Sequence, residues 1–314
     1  MGLVVQEVQK FLGEHYKRGK PLLVGFSGGP DSLALLHALL AWQRAYDLEI
    51  HLAHVDHGWR EESSKEAELL REMALARGLT FHLETLDCKD VKGNLELFAR
   101  EKRYAFFSKI YNEIKPQALL LGHHADDQAE TVLKRLLEGS SLFSLGGVKK
   151  VSTFEEMVVW RPFLPLLKKE ILEWLGKKGL TPIEDYTNHD PRYLRARMRV
   201  EMLPKMREMF GKDISYNLYY LGEGAQKLKE YFDRKTDIYM KAIKEGSCGK
   251  ALDLNPFFPI EELELDALIK RICLKEDIFL SREDIFLIKE LLQKNSSKKT
   301  VGNVFIIDKR SIYF

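Results

Sequence analysis

The sequence predicts an α/β fold: a parallel sheet flanked by helices, followed by a second, smaller, mostly helical α+β domain at the C-terminus. Three observations carry this. Short apolar runs alternate with helical stretches through the first 140 residues, the pattern of a parallel sheet covered on both faces. A bare Gly28-Gly29 turn follows the first apolar run, at the strand ends where such folds bind ligands. Beyond residue 215 the pattern changes to long 3–4-spaced helices and a final alternating stretch, 301–314.

The elements follow in order. Residues 4–18 put Val4, Val5, Val8, Phe11 and Leu12 on one helical face. Residues 21–26 form a buried strand and 33–43 a helix; 49–55 form a second strand, and 62–77 a helix that Gly78 ends. Residues 81–86 form a third strand. Asn94 caps a helix reaching about residue 113. A fourth strand spans 118–121 and a helix 126–138. Residues 139–148 form a Ser/Gly-rich loop and 157–160 another strand; Pro162 and Pro165 stiffen a turn before a helix at 168–178. A polar connector, 184–192, leads into a basic helix over 193–210. The domain boundary falls near 215, giving domains 1–215 and 216–314. In the second, Leu218, Leu221, Ala225, Leu228 and Phe232 line a helix, Ser281-x-x-Asp284 forms a capping box, and 301–314 alternates as a terminal hairpin.

The chain has 314 residues, 45% of them apolar, enough for two packed cores. Its formal charge of +2 does not by itself indicate nucleic acid, so any basic surface must come from local clustering. Cys88, Cys248 and Cys273 include no CxxC, which disfavours a zinc knuckle or redox dithiol and suits reduced thiols in the cytoplasm. Glu7 and Lys10 interrupt any signal-peptide core, and no apolar stretch reaches the ~20 residues of a membrane span. A cytoplasmic protein without a membrane partner is expected.

Three polar motifs fall just after predicted strands. The first is Ser27-Gly28-Gly29-Pro30-Asp31-Ser32. Two glycines let backbone N–H groups approach an anion, and the following helix N-terminus favours phosphate. Asp31 is an odd neighbour for phosphate unless a cation intervenes, so it reads as a Mg²⁺-facing carboxylate. The second motif is His54-Val55-Asp56-His57-Gly58-Trp59-Arg60; the third is Gly122-His123-His124-Ala125-Asp126-Asp127-Gln128-Ala129-Glu130-Thr131. Asp127 and Glu130 share a helix face. With Asp31 they could hold Mg²⁺ or an amine's ammonium, while Asp126 and Asp127 equally suit the first-turn acids of an ordinary helix. The histidines also have the residue types of a binuclear metal hydrolase, a reading that leaves residues 27–32 unexplained. Between Arg192 and Lys212, seven basic residues stand against two acids. Arg195 and Arg199 share a face suited to RNA or nucleotide phosphate, against the alternative of a solvated helix face.

Residues 27–32 resemble the SGGxDS signature of the PP-loop ATP pyrophosphatases, which cleave ATP between its α and β phosphates. The second and third motifs resemble those of the tRNA(Ile)-lysidine synthase family, with Trp59 where that family commonly has Leu. Further matches are Arg161-Pro162-Phe163-Leu164, Asp185-x-Thr187-Asn188, and Arg192, Arg195 and Arg199 leading to Leu203-Pro204. The resemblance covers about the first 205 residues, and implies a PP-loop, adenine nucleotide alpha hydrolase-like fold over 1–215 and a tRNA-binding domain over 216–314. It implies a chain shorter than the longest members, lacking part of their C-terminal region.

By that resemblance, the enzyme joins L-lysine to C2 of the wobble cytidine of a CAU-anticodon isoleucine tRNA, using ATP and Mg²⁺. The cytidine is first adenylated, and AMP and pyrophosphate are released. The resemblance assigns Ser27, Gly28, Gly29, Pro30, Asp31, Ser32, His54, Asp56, His57, Gly122 and His123 to ATP. It assigns catalysis to Asp31, Asp127 and Glu130, metal to Asp31 and Asp127, and tRNA or nucleotide contact to Arg192, Arg195 and Arg199. A homodimer is compatible with it. Other readings are a cytidine thiolase, which would want paired cysteines; an amidotransferase-type synthetase, which would want a glutaminase; the metal hydrolase; and a non-catalytic RNA-binding module.

Overall fold

The computed structural model describes residues 2–58, 63–86, 95–183, 194–247, 249–302 and 304–314. Asn94, Cys88 and Cys248, the 185–188 match, Trp59, Arg60 and Arg192 lie outside the described residues. The chain folds as two compact units, residues 1–139 with 147–222, and 140–146 with 223–314.

The first unit is built on strands β1 (Leu22–Gly25), β2 (Ile50–Asp56), β3 (Thr80–Thr85), β4 (Ala118–Leu120), β5 (Val151–Phe154) and β6 (Met157–Trp160). Their order is β3-β2-β1-β4-β6-β5. Every pair is parallel except β5–β6, so the expectation of a parallel sheet is corrected at one edge. The edge strand leaves no signal in the sequence because Val-Ser-Thr-Phe is largely exposed and shows no buried periodicity. Its turn uses Glu155 at φ 51°, a conformation that residue type does not advertise.

Helices α1 (Leu3–His15), α2 (Pro30–Leu40), α3 (Gln43–Tyr46), α4 (Ser63–Leu75), α5 (Leu95–Ile114), α6 (Ala125–Leu137) and α7 (Lys168–Lys178) connect and cover the strands. Side chains alternate across β1 as the pleat requires. Leu22 and Val24 join a core with Val8, Leu35, Leu39, Phe163, Ile171 and Trp174 from α1, α2, α7 and the preceding turn. Leu23 points the other way, to Tyr104, Phe107 and Ile110 of α5. The sheet is thus buried on both faces, which explains its nearly continuous apolar runs.

The basic stretch is three consecutive pieces: α8 (Leu194–Arg197), a π-helical turn (Met198–Met202) and α9 (Leu203–Phe210). Pro204 lacks the N–H that an α-helix would use there, and the wider turn closes through Leu203 N–H to the Met198 carbonyl. Met198, Leu203 and Ile214 pack on Leu133 of α6. That contact brings the basic helix to the third motif.

Helix α10 (Ser215–Lys241) carries the chain through residue 222 into the second unit. That unit adds β7 (Lys244–Gly246), β8 (Gly249–Asp253), α11 (Glu262–Lys275), α12 (Arg282–Gln293), β9 (Lys299–Val301), β10 (Phe305–Asp308) and β11 (Ser311–Tyr313). Its antiparallel sheet runs β7-β8-β11-β10-β9. The terminal hairpin is β10–β11, and Ser281 accepts the Asp284 N–H as its capping box predicts. Leu252, Leu268, Ile272, Ile288, Leu292, Phe305 and Ile312 form its core. The 139–148 stretch, expected as a loop, contains a 3₁₀ turn at Leu142–Ser144, and Phe143 sits edge-on to Phe232 at 5.3 Å. No described helix is long and apolar enough to cross a membrane.

Candidate active site

The loop after β1 is held by its own hydroxyls. Ser32 Oγ accepts the Ser27 N–H at 3.2 Å, donates to the Gly29 carbonyl at 3.1 Å, and lies 3.1 Å from Ser27 Oγ. The Gly29 N–H donates to Ser27 Oγ at 3.3 Å. Gly28 takes φ +78°, a region costing an L side chain about 1–2 kcal/mol. Pro30 then opens α2 with a preset φ and no N–H to satisfy. The chain bends tightly and presents a helix N-terminus beyond the sheet, an arrangement suited to an anion.

The second motif divides. His54 is buried, and its Nδ1–H donates to the Phe26 carbonyl at 2.8 Å, tying β2 to the start of the glycine loop. Burial pushes its imidazole below the usual histidine range, against the pull of the Phe26 hydrogen bond and Asp56. Asp56 braces its own turn: Oδ1 accepts the Gly58 N–H at 2.9 Å and Oδ2 the Ser64 hydroxyl at 3.4 Å. His57 follows at the end of β2, half-buried.

The third motif meets the first directly. A Cβ on Gly122 would lie 3.0 Å from the Asp31 backbone carbon, so only glycine allows this approach without displacement. His124 stands between carboxylates, its Nε2 3.7 Å from Asp31 Oδ1 and 3.5 Å from Asp127 Oδ2. Asp127 Oδ2 also accepts the His124 backbone N–H at 3.0 Å, closing the first turn of α6. Burial works to raise the Asp127 carboxyl, but His124, His123, that N–H and Arg199 outweigh it and hold it at about 2. Burial drives the His123 imidazole down to about 4 against the pull of Asp127.

Two distant cations complete the cluster. Lys168 Nζ donates to both oxygens of Asp31, at 2.6 and 2.7 Å. Arg199 forks onto Glu130, Nε to Oε1 at 2.7 Å and Nη2 to Oε2 at 3.0 Å, and Nη2 reaches Asp127 Oδ1 at 3.5 Å. Burial pushes the Glu130 carboxyl above the ordinary glutamate range, against the pull of Arg199. Chemically this is a glycine loop at a helix N-terminus beside carboxylates that are paired with the chain's own Lys168 and Arg199.

The model of the PP-loop domain family matches residues 3–206. The tRNA(Ile)-lysidine synthase of Protochlamydia amoebophila is 37% identical over 98% of this chain and 70% of its own length. The chain belongs to the tRNA(Ile)-lysidine synthase family. The synthase of Chlamydia pneumoniae is 39% identical over 71% of this chain and 69% of its own, and that of Chlamydia caviae 33% identical over 93% and 90%. Among solved structures, the U34-tRNA thiolase NcsA of Methanococcus maripaludis superposes with a TM-score of 0.59 at 20% identity, covering 73% of this chain and 78% of that one. That likeness concerns the fold alone. As a lysidine synthase family member the chain is an enzyme, a ligase forming carbon–nitrogen bonds.

For this family member, the motifs mark residues that the fold brings together, but not the cations that pair with them. Asp31, Gly122, Asp127 and Glu130 come together as expected, whereas Arg195 is exposed. Arg199, expected at a tRNA or nucleotide phosphate, pairs in this structure with carboxylates. Lys168 was missed; its one visible signal was a lysine pair opening a helix, where the dipole disfavours positive charge. Asp126 is structural: it accepts the Lys168 backbone N–H at 2.8 Å, the Arg207 guanidinium at 2.8 Å and the Ser215 hydroxyl at 3.0 Å. Arg161 is buried and staples the β5 edge, donating to the Lys149 carbonyl at 2.9 Å and Ser152 Oγ at 2.8 Å. Among the described residues no cluster of three or more His, Cys, Asp or Glu is arranged to hold a metal ion.

Proposed function

We propose that this protein ligates L-lysine to C2 of the wobble cytidine of CAU-anticodon isoleucine tRNA, forming lysidine, in the cytoplasm. The observation that carries the reading is the pair of adjoining sites: a self-braced glycine loop at a helix N-terminus, and a Glu130–Asp127 pocket with a guanidinium already docked in it.

The cytidine O2 attacks the α-phosphate of ATP, breaking the bond to the β-phosphate and releasing pyrophosphate. Residues 27–32 hold the departing group, where backbone N–H groups and the helix end stabilise the growing charge. The ε-amine of lysine then attacks C2 of the adenylated cytidine, and AMP leaves with the O2 oxygen. The ammonium has an ordinary pKa near ~10.4 and must lose a proton first. Glu130, raised by burial, is suited to receive it. Asp127, held ionised, orients the ammonium.

Mg²⁺ fits the donor set in kind, since Asp31 and Asp127 offer carboxylate oxygens on either side of His124 Nε2. Bound there, it would neutralise charge on the triphosphate. Arg195, with Arg192, is assigned to tRNA phosphate, and the C-terminal unit to the body of the tRNA. The target base must be splayed from its loop to reach the pocket.

Mass spectrometry of the tRNA after incubation with enzyme, ATP and lysine tests the reading. The expected product is cytidine converted to lysidine at the wobble position; unmodified tRNA with fully folded enzyme would overturn it.

A further inference from the structure

Lys168 reaches Asp31 from 137 residues along the chain, and three features make the contact more than a surface ion pair. Its main chain is fixed on the third motif: the Ala125 N–H donates to the Leu166 carbonyl at 2.8 Å, the Lys168 N–H to Asp126 Oδ2 at 2.8 Å, and the Leu167 N–H to Glu170 Oε2 at 2.7 Å. Leu164 and Leu167 are buried with Ala125 and Tyr219 beneath it. The side chain therefore leaves a fixed base and ends at the Asp31 carboxylate of the glycine loop, with about a third of it exposed. Second, a lysine in the first turn of α7 opposes the helix dipole, a placement that a nearby anion compensates. Third, the donors of the ammonium are not all used among the described residues. An ammonium has three N–H donors, and Asp31 takes two of them, at 2.6 and 2.7 Å.

We infer that Lys168 bridges Asp31 to ATP, giving its remaining N–H to a phosphate oxygen held by residues 27–32. This rests on the proposed ATP chemistry and adds to it a positioning cation. It resolves the presence of an aspartate inside a phosphate loop. Unneutralised, the Asp31 carboxylate would repel the triphosphate; with Lys168 across both its oxygens, the pair presents a net donor to the anion. A carboxylate has about four lone-pair sites, so the Lys168 contact leaves room for a divalent cation on the same group.

The test is calorimetric titration of ATP, inorganic pyrophosphate and adenosine into the full-length protein, without tRNA so that nothing turns over. Lys168→Met should weaken ATP and pyrophosphate binding by about tenfold to a hundredfold, the scale of one charged hydrogen bond, and leave adenosine binding unchanged. Lys168→Arg should recover most of the loss. Adding Asp31→Asn to Lys168→Met should also recover part of it, because the uncompensated carboxylate is then gone; a merely structural lysine would show no such recovery. Unaltered ATP affinity in Lys168→Met, an equal loss for adenosine, or no recovery with Asp31→Asn would each overturn the inference while the proposed function stands. Wild-type protein that binds neither ATP nor pyrophosphate would overturn both.

Discussion

Residues 27–32 brace themselves, whereas residues 124–130 are braced from far along the chain. In the glycine loop the hydrogen bonds of the serine hydroxyls span five residues or fewer. In the acidic cluster the cations arrive from far along the chain, Arg199 on Glu130 from 69 residues away and Arg207 on Asp126 from 81, and Lys168 reaches the neighbouring Asp31 from 137. The difference teaches where each function can be damaged. The loop depends on backbone conformation and is sensitive to a single Cβ. The cluster depends on packing that delivers Arg199 and Lys168, namely Met198, Leu203 and Ile214 on Leu133, and Leu164 and Leu167 on Ala125.

Four substitutions or conditions separate these regions, taken from the largest effect down. Glu130→Gln keeps the shape of the cluster but removes its buried charge. We expect kcat/KM for lysine to fall by about a hundredfold, the upper range for a lost charged hydrogen bond, with ATP binding in titration unchanged. Lysine kinetics like those of wild type would show that Glu130 serves only to hold Arg199. Gly28→Ala acts on the other region. At φ +78°, with Leu70 and Ile183 close by, it should weaken ATP binding by roughly tenfold, matching ~1–2 kcal/mol of strain, and leave lysine KM alone at saturating ATP.

The third probe is pH. The His123 imidazole is lowered to about 4 in the folded protein, from an unfolded value near ~6.5. The unfolded chain therefore binds the proton first, and stability falls as pH drops from about 6.5 toward 4. The Asp127 carboxyl, held at about 2, adds a loss in the lower window, from about 4 down to 2. Thermal melts of His123→Gln should show a flatter slope between pH 6.5 and 4, while melts of Asp127→Asn keep that slope. An unchanged slope in His123→Gln would mean that another group carries it. The smallest effect lies in the second unit: Ser281→Ala removes the α12 cap and should cost about 1 kcal/mol in denaturant melts, with no change in ATP or lysine kinetics.

The same contrast explains what could be read from the amino-acid order. The glycine loop was legible because its partners are local and its residue types have few other uses. Helix α7 and the Ser281 box were legible for the same reason. The bonds of Arg199 and Lys168 were not, since a long basic side chain on an exposed helix turn looks alike whether it meets RNA, solvent or a carboxylate. Strands β5 and β7 were hidden because each is short and mostly exposed, and β8 because it buries a single residue, Leu252, leaving no alternation to detect. Asp126 and Asp127 are adjacent acids of the same type, yet one braces Arg207 and the other borders the site; only tertiary packing distinguishes them.

The central claim is that the glycine loop grips the outer phosphates of ATP so that they depart together. Chromatography of the nucleotides formed in the presence of tRNA and lysine tests it most directly. The account predicts AMP and pyrophosphate in step with lysidine; ADP and inorganic phosphate without AMP would contradict it.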